Sequence, residues 1–252
     1  MPSKIIEGIR PVQELLRSGT AAESIWIADQ LLRRPDIRLI KQEADKRGIP
    51  VKIVPIEVID KKSRESRGRS PQGILAIAGS TDPQEFGGWF PKYIGEKREK
   101  NFLLLLDHIE DPQNFGAILR SAEAAGVDAV LYPKHRASPV TNTVVKASAG
   151  AAFHIPLVQV GSMRQTIIDI REENIAVIGL DIASDMNYSE FDWTGRLCLV
   201  VGSEHKGLSK PVRDACATVV KIPMRGKVES LNASAATAIV LFEAVRQRSV
   251  IQ

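Results

Sequence analysis

The sequence predicts an α/β protein in which a parallel sheet with helices on both faces follows a smaller α/β unit. Three observations carry that expectation. Continuous apolar runs such as NFLLLLD (101–107) and RLCLVVG (196–202) suit strands buried on both faces of a parallel sheet. Segments with helical spacing lie between such runs, so strands and helices alternate. Three polar blocks, DPQNFGAILR (111–120), VGSEHKGL (201–208) and IPMRGKVESLN (222–232), each adjoin an apolar run where an element begins or ends. Ligands in such folds bind outside the carboxyl ends of the strands.

Up to about residue 80, short helices and strands take turns. GIRPVQELLRSG (8–19) reads as a helix, with Pro11 in its first turn and Gly19 past its end. SIWIA (24–28) is a strand, and IRLIKQEADKRG (37–48) is an amphipathic helix closed by Gly48. VKIV (51–54) and GILAIAG (73–79) are further strands, separated by the basic loop KKSRESRGRSPQG (61–73). The stretch from Ser80 to Lys100, with Pro, paired Gly and a charged run, reads as an interdomain connection with one aromatic-anchored helix. The expected division is a domain over 1–80, a linker over 81–99 and a second domain over 100–252.

In the second domain NFLLLLD is followed by a helix carrying Phe115, Ile118, Leu119, Ala122 and Ala125 at helical spacing. The strand VDAVLY (127–132), a helix around NTVVKASAG (142–150) and the strand IPLVQV (155–160) come next. A helix in SMRQTIIDIREEN (162–174) leads to the strands IAVIGLD (175–181) and RLCLVVG. The closing helix, ASAATAIVLFEAVRQR (233–248), is apolar on nearly all sides and polar only at its tip. One sheet face cannot cover it, which points to a subunit interface.

Composition narrows the class of function. No apolar run approaches the roughly 20 residues of a membrane span, and MPSKIIEGIR has no signal-peptide core, so a cytoplasmic protein is expected. Neither a CxxC pair nor HExxH occurs, so no metal is expected, and Cys198 inside LCLVV reads as a buried thiol. The net charge of +4 is uneven. Residues 1–100 hold 19 Lys or Arg against 14 Asp or Glu, the remainder 15 against 16. The excess peaks at Lys61, Lys62, Arg64, Arg67 and Arg69, a set suited either to RNA phosphate or to a solvated loop.

No G-x-G-x-x-G turn, Walker loop or Ser-His-Asp set is present. His108 and His205 lie near the polar blocks, where a lone His is most often a hydrogen-bonded bystander. Asn114, Ser230 and Asn232 stand where helices begin and suit capping as well as chemistry. Glu204 lies between two glycines at a strand end.

N-F-G-A-I-L-R, G-S-E-H-K-G-L and I-P-M-R-G-K-V-E-S-L-N resemble, in order and spacing, the three signature motifs of the SpoU (TrmH) family. These are RNA ribose 2′-O-methyltransferases of the SPOUT superfamily, and GIRPVQELL resembles the family's N-terminal RNA-binding domain. The resemblance covers almost the whole chain. It implies an L30e-like first domain and a second domain whose last segment threads a loop to make a trefoil knot, an exception to unknotted connectivity. It also implies S-adenosylmethionine bent in that knot near Gly179, Gly202, Ile222 and Leu231, and a homodimer packed knot against knot.

The same resemblance implies catalytic roles for Asn114, Arg120, Glu204, Ser230 and Asn232. A guanidinium with a pKa of about 12 or higher is a poor base, so Arg120 is read as a donor to the ribose or its phosphate. Asn114 would orient Arg120 or the RNA, and Glu204 would anchor Asn114, Arg120 or a substrate hydroxyl. The implied substrate is a guanosine of bacterial 23S rRNA. The alternatives are a tRNA ribose and a non-catalytic role in RNA binding or ribosome assembly.

Overall fold

The computed structural model describes residues 4–65, 72–78, 83–96, 100–204 and 207–249. It divides into two compact units, Met1–Asp82 with Val140–His154 and Pro83–Pro139 with Ile155–Gln252.

The first unit holds β1 (Lys4–Glu7), α1 (Ile9–Arg17), β2 (Ala22–Ala28), α2 (Pro35–Lys46), β3 (Val51–Val54), α3 (Ile56–Glu65) and β4 (Ile74–Ala78). Its sheet runs β1-β4-β2-β3, with β4 antiparallel to β1 and β2 and β3 parallel to β2. Val12, Leu15 and Leu16 fall on one face of α1, and Ile37, Ile40 and Ala44 on one face of α2. Both stripes close over Ile25, Ile27, Ile74 and Ala76 of the sheet. Gly48 ends α2 at φ +65°, and the Ile49 N–H returns to the Ala44 carbonyl at 2.9 Å.

The second unit runs β5 (Gln84–Glu85), α4 (Phe86–Gly95), β6 (Phe102–Leu106), α5 (Pro112–Ala124) and β7 (Ala129–Pro133). After α6 (Asn142–Ala147), which belongs to the first unit, come β8 (Leu157–Val160), α7 (Met163–Glu172) and β9 (Ala176–Leu180). The chain then closes with β10 (Leu197–Val201), α8 (Lys210–Ala215), β11 (Thr218–Val220) and α9 (Ala233–Ser249). The sheet order is β11-β9-β10-β6-β7-β8-β5, and every pair is parallel.

Alternate strand residues point to opposite faces, and both faces are covered. Leu103, Leu105, Leu131, Val158, Cys198 and Val200 pack with the aromatics of α4, with Ile167 and Ile170 of α7 and with Val212 of α8. On the other face Phe115 of α5 lies 5.3 Å from the Tyr132 ring, and Arg248 of α9 stands 4.3 Å over Phe102. The tip of α9 is tied down as well, because Arg248 donates to the carbonyls of Trp193, Gly195 and Asn101.

The structure departs from the sequence reading in several places. The basic segment begins as a helix: Lys61, Lys62 and Arg64 lie on α3, while Arg67 and Arg69 fall outside the described residues. The 81–99 stretch forms the expected aromatic-anchored helix, α4, and also β5, but it belongs to the second unit, where Trp89, Phe90 and Tyr93 are core residues. Burial of three aromatics outweighs the helix-breaking tendency of Gly87, Gly88 and Pro91. β1, α8 and β11 were not anticipated, being short and poorly patterned.

The segment around α6 joins the first unit although it lies between β7 and β8 in sequence. Val145 is buried in that unit's core, and Lys146 Nζ lies 3.0 Å from the Glu7 carboxylate, which has no exposed surface. The Ser63 hydroxyl donates to the other Glu7 oxygen at 2.8 Å. Gly150, at φ +92°, lets the chain pass so close that a Cβ there would stand 2.3 Å from Glu14 Cβ.

Candidate functional site

The site is built from the start of α5, the end of β10 and the start of α9. Asp111 caps α5 by accepting from the Asn114 N–H at 2.8 Å, with Pro112 at the first helical position. That leaves the Asn114 side chain free to turn elsewhere. Asn232 opens α9: its Oδ1 accepts from Ser234 N–H at 2.9 Å, from the Ser234 hydroxyl at 2.6 Å and from Ala235 N–H at 3.4 Å. With Oδ1 committed to the helix start, Nδ2 donates to Asn114 Oδ1 at 2.8 Å and to Glu204 Oε2 at 3.4 Å. Asn114 Nδ2 also donates to Glu204 Oε2, at 3.3 Å. One carboxylate oxygen thus accepts from two amides, and the three polar blocks meet in one hydrogen-bonded cluster.

Beside the cluster lies a cleft of about 330 Å³. Leu180, Ile182, Ile222, Met224 and Leu231 give it aliphatic walls, while Asp181, Glu204 and Glu229 give it carboxylates. At Gly202 the backbone closes on itself, since a Cβ would stand 2.1 Å from the Gly207 carbonyl oxygen and 2.5 Å from the Leu208 nitrogen. Backbone edges therefore form part of the wall. Aliphatic walls suit a nucleoside base, and carboxylates suit a group bearing positive charge. S-adenosylmethionine carries an adenosine, an ammonium and a sulfonium, so these residues fit it.

Gly202, Ile222 and Leu231 line this cleft, and Ser230 lines it too, exposed. Gly179 does not. It lies within β9, where a Cβ would meet Leu208 Cδ1 at 2.7 Å and Cys216 Sγ at 3.2 Å, so its role there is close packing. Side-chain capping of α9 falls to Asn232 rather than Ser230.

Arg120 stands apart. It is exposed on α5, lines neither this cleft nor the one described next, and bonds to no other described residue. Six residues separate it from Asn114, about 240° of helical rotation, so the two side chains cannot share a face. Asn114 accordingly contacts Glu204 and Asn232 and does not orient Arg120.

A second cleft of about 570 Å³ shares Ser203, Glu204, Gly207 and Ala233 with the first. Its remaining lining includes Asp107, His108, Asn114 and Arg136. Nothing in the residue pattern singles out Asp107 or Arg136, apart from Asp107's place at the end of an apolar run. His205 and Lys206 fall outside the described residues.

Other features bear less on chemistry. Burial pushes the Cys198 thiol far up and the Cys216 thiol up to about 12, which leaves both poor nucleophiles. Among the described residues no helix is long and apolar enough to cross a membrane. No metal-holding group of His, Cys, Asp and Glu occurs among them either.

Comparison with known proteins places this geometry in a family. Residues 101–242 match the SpoU rRNA methylase family, and residues 5–83 match the RNA 2′-O ribose methyltransferase substrate-binding family. The 23S rRNA (guanosine-2′-O-)-methyltransferase RlmB of Escherichia coli strain K12 is 39% identical over 251 residues, 98% of this chain and 100% of that protein. The SpoU methyltransferase AviRb of Streptomyces viridochromogenes, solved in complex with the cofactor AdoMet, superposes with a TM-score of 0.81. It is 25% identical, over 99% of this chain and 92% of that one. An AdoMet-bound rRNA methyltransferase of Sinorhizobium meliloti superposes with a TM-score of 0.75 at 25% identity, over 97% and 87%.

Proposed function

The chain belongs to the SpoU family of RNA 2′-O-ribose methyltransferases, and from that premise we propose that it methylates a guanosine ribose in bacterial 23S rRNA. The observation that carries the reading is the Asn114–Glu204–Asn232 cluster standing on the rim of the aliphatic and acidic cleft. The whole-length match to a protein named as a 23S rRNA methyltransferase supports rRNA as the substrate.

S-adenosylmethionine, held in the 330 Å³ cleft, supplies an activated methyl group. Gly202, Ile222 and Leu231 hold it largely through backbone, and Asp181 and Glu229 balance its positive charge. Two contributions remain for the protein. It must align the 2′-oxygen, because a correctly oriented nucleophile removes much of the entropic barrier. It must also dispose of the hydroxyl proton. Glu204 with its two amide donors forms a fixed polar wall where the ribose enters, and Ser230 offers a hydroxyl on the same rim. Arg120, exposed and bonded to no described residue, contacts RNA phosphate or ribose rather than removing the proton.

Lys61, Lys62 and Arg64 on α3, together with Arg67 and Arg69, serve as an RNA-phosphate set in the first unit. The segment from β9 to α9 forms the trefoil knot. The return of Asn232, at the end of the chain's third polar block, to Asn114 and Glu204 supports that path. The protein forms a homodimer through the knotted unit. Ile239 and Phe242, 37% and 48% exposed on a helix otherwise buried at Val240 and Leu241, support that surface. Phe242→Glu is expected to turn a dimer into a monomer in sedimentation velocity. A monomeric wild type would sink the dimer.

The decisive test offers 23S rRNA and tRNA separately, both unmodified, with methyl-labelled S-adenosylmethionine. Label in the rRNA ribose is expected, and label in tRNA alone would overturn the rRNA assignment. Arg120→Ala should lower kcat/KM about 10²- to 10³-fold, the range for losing a charged transition-state donor, with S-adenosylmethionine affinity unchanged. Wild-type kcat/KM in that variant would show that Arg120 does not contact the reacting RNA.

A further inference from the structure

A groove of about 500 Å³ runs between α7 and α8 and shares no lining residue with the two clefts above. Ile167, Ile170 and Val212 turn the inner sides of these helices onto the sheet, where they are buried. Arg164, Ile168 and Arg171, spaced four and three residues apart, fall on one side of α7 and form one wall. Lys210, Pro211, Asp214 and Ala215 form the other.

Three cations therefore meet a single carboxylate among the described lining residues. They do so in a stretch, 101–252, that holds 15 Lys or Arg against 16 Asp or Glu. Local stability does not account for them. Arg164 stands in the first turn of α7, where the helix dipole disfavours a cation, and it bonds to no described residue. Lys210 Nζ lies 2.9 Å from Asp214 Oδ2, but the two side chains are 85% and 59% exposed, and a pair so open to water contributes little. Arg171 is braced: its guanidinium donates to the Ala215 carbonyl at 2.8 Å, which fixes the fork and leaves further N–H donors for an anion.

The groove also adjoins the site. Lys210 directly follows Ser209, which lines the second cleft and donates its N–H to Asp107. The described lining of that cleft carries Asp107, Glu110, Asp111 and Glu204 against one Arg, so it offers RNA phosphate little net attraction. The α7–α8 groove has the opposite balance of charge.

We propose that this groove binds the sugar–phosphate backbone of the substrate RNA outside the nucleotide that is methylated, with Arg164, Arg171 and Lys210 on phosphate oxygens. Arg164 and Arg171 lie seven residues apart, about 10 Å along the helix, so they meet different phosphates. Ile168 between them gives the intervening sugar an apolar floor. Such contacts fix the register of the RNA and carry no sequence information. The assignment rests on the methyl-transfer reading and gives the second unit an RNA surface of its own.

The test uses the full-length protein and whichever of 23S rRNA and tRNA the wild type methylates. In the double variant Arg164→Gln, Arg171→Gln, RNA affinity is expected to fall at least about tenfold near 0.1 M salt. The slope of log affinity against log salt should shrink by about 1.4 to 1.8, the share of two phosphates. KM for RNA should rise in parallel, with kcat at saturating RNA within about twofold of wild type. Affinity for S-adenosylmethionine, measured by calorimetry, should be unchanged and report an intact fold. Arg164→Gln alone, at a side chain with no described partner, should remove about half of the slope change. Asp214→Asn removes the acid of the groove and releases Lys210, so RNA should bind several-fold more tightly. Wild-type affinity and salt slope in the double variant overturn the proposal, and leave an acidic protein segment as the occupant that the charge fits. An Asp214→Asn protein that binds RNA no more tightly than wild type overturns it too. A wild type that transfers no methyl to RNA would instead overturn the methyl-transfer reading itself.

Discussion

Gly202→Ala is expected to abolish S-adenosylmethionine binding and to destabilise the second unit. The added methyl would stand 2.1 Å from the Gly207 carbonyl oxygen, 2.2 Å from its carbon and 2.5 Å from the Leu208 nitrogen. All three are backbone atoms, so no flexible side chain can swing aside. The 207–208 segment must move outward, and with it Gly207, which lines the cleft. Overpacking of this kind costs about 1–3 kcal/mol, and more where the obstacle is rigid. Calorimetry with S-adenosylmethionine should show a loss of at least 100-fold in affinity, about 2.7 kcal/mol. Urea unfolding should show a lower midpoint at unchanged slope. Wild-type affinity in Gly202→Ala would mean that the cofactor does not use this wall.

Asn232 supports a second large effect, because one side chain does two jobs with two atoms. Its Oδ1 caps α9 and its Nδ2 ties Asn114 to Glu204. Asn232→Ala removes both functions, so stability should fall by about 1 kcal/mol, as for other lost caps. The turnover number should fall about 10²- to 10³-fold, as for lost preorganised donors. Asn232→Asp separates the two. A carboxylate still accepts from Ser234 and Ala235 at the helix N-terminus, so stability should return. It cannot donate, and it faces Glu204, so turnover should stay low. Recovered activity in Asn232→Asp would show that only the cap matters.

Much of the second unit was legible because its strands are long and apolar on both faces. FLLLL and LCLVV are too short and too evenly apolar to suit much besides strands buried on both faces. Two elements escaped the pattern for physical reasons. In β11 only Thr218–Val220 pair, too few residues for alternation to register. α3 carries VIDKKSRE, whose charges mask the single buried Ile59 that anchors it. α4 is the aromatic-anchored helix expected between Ser80 and Lys100; it forms despite two glycines and a proline because Trp89 and Tyr93 stack at 4.6 Å beneath the sheet, and only its place in the second unit's core escaped the pattern. The site was legible where the polar blocks bear side chains that meet, as at Asn114, Glu204 and Asn232. It was not legible at Gly179, whose packing role depends on Leu208 and Cys216 arriving from elsewhere in the chain. Nor could the sequence announce Arg136, a loop residue recognisable only by the cleft it borders.

The α6 segment has a consequence for dissecting the molecule. The first unit borrows residues 140–154 from the middle of the family-matched stretch 101–242. A fragment ending at Asp82 would therefore lack Val145 from its core and Lys146 from beside the buried Glu7. The complementary fragment would carry α6 with nothing to receive its apolar side. Neither half is a cassette that can be cut out at a single point and moved to another gene. A cut at any single point therefore takes a core segment from one unit and leaves it stranded on the other, at a place the chain's linear order conceals.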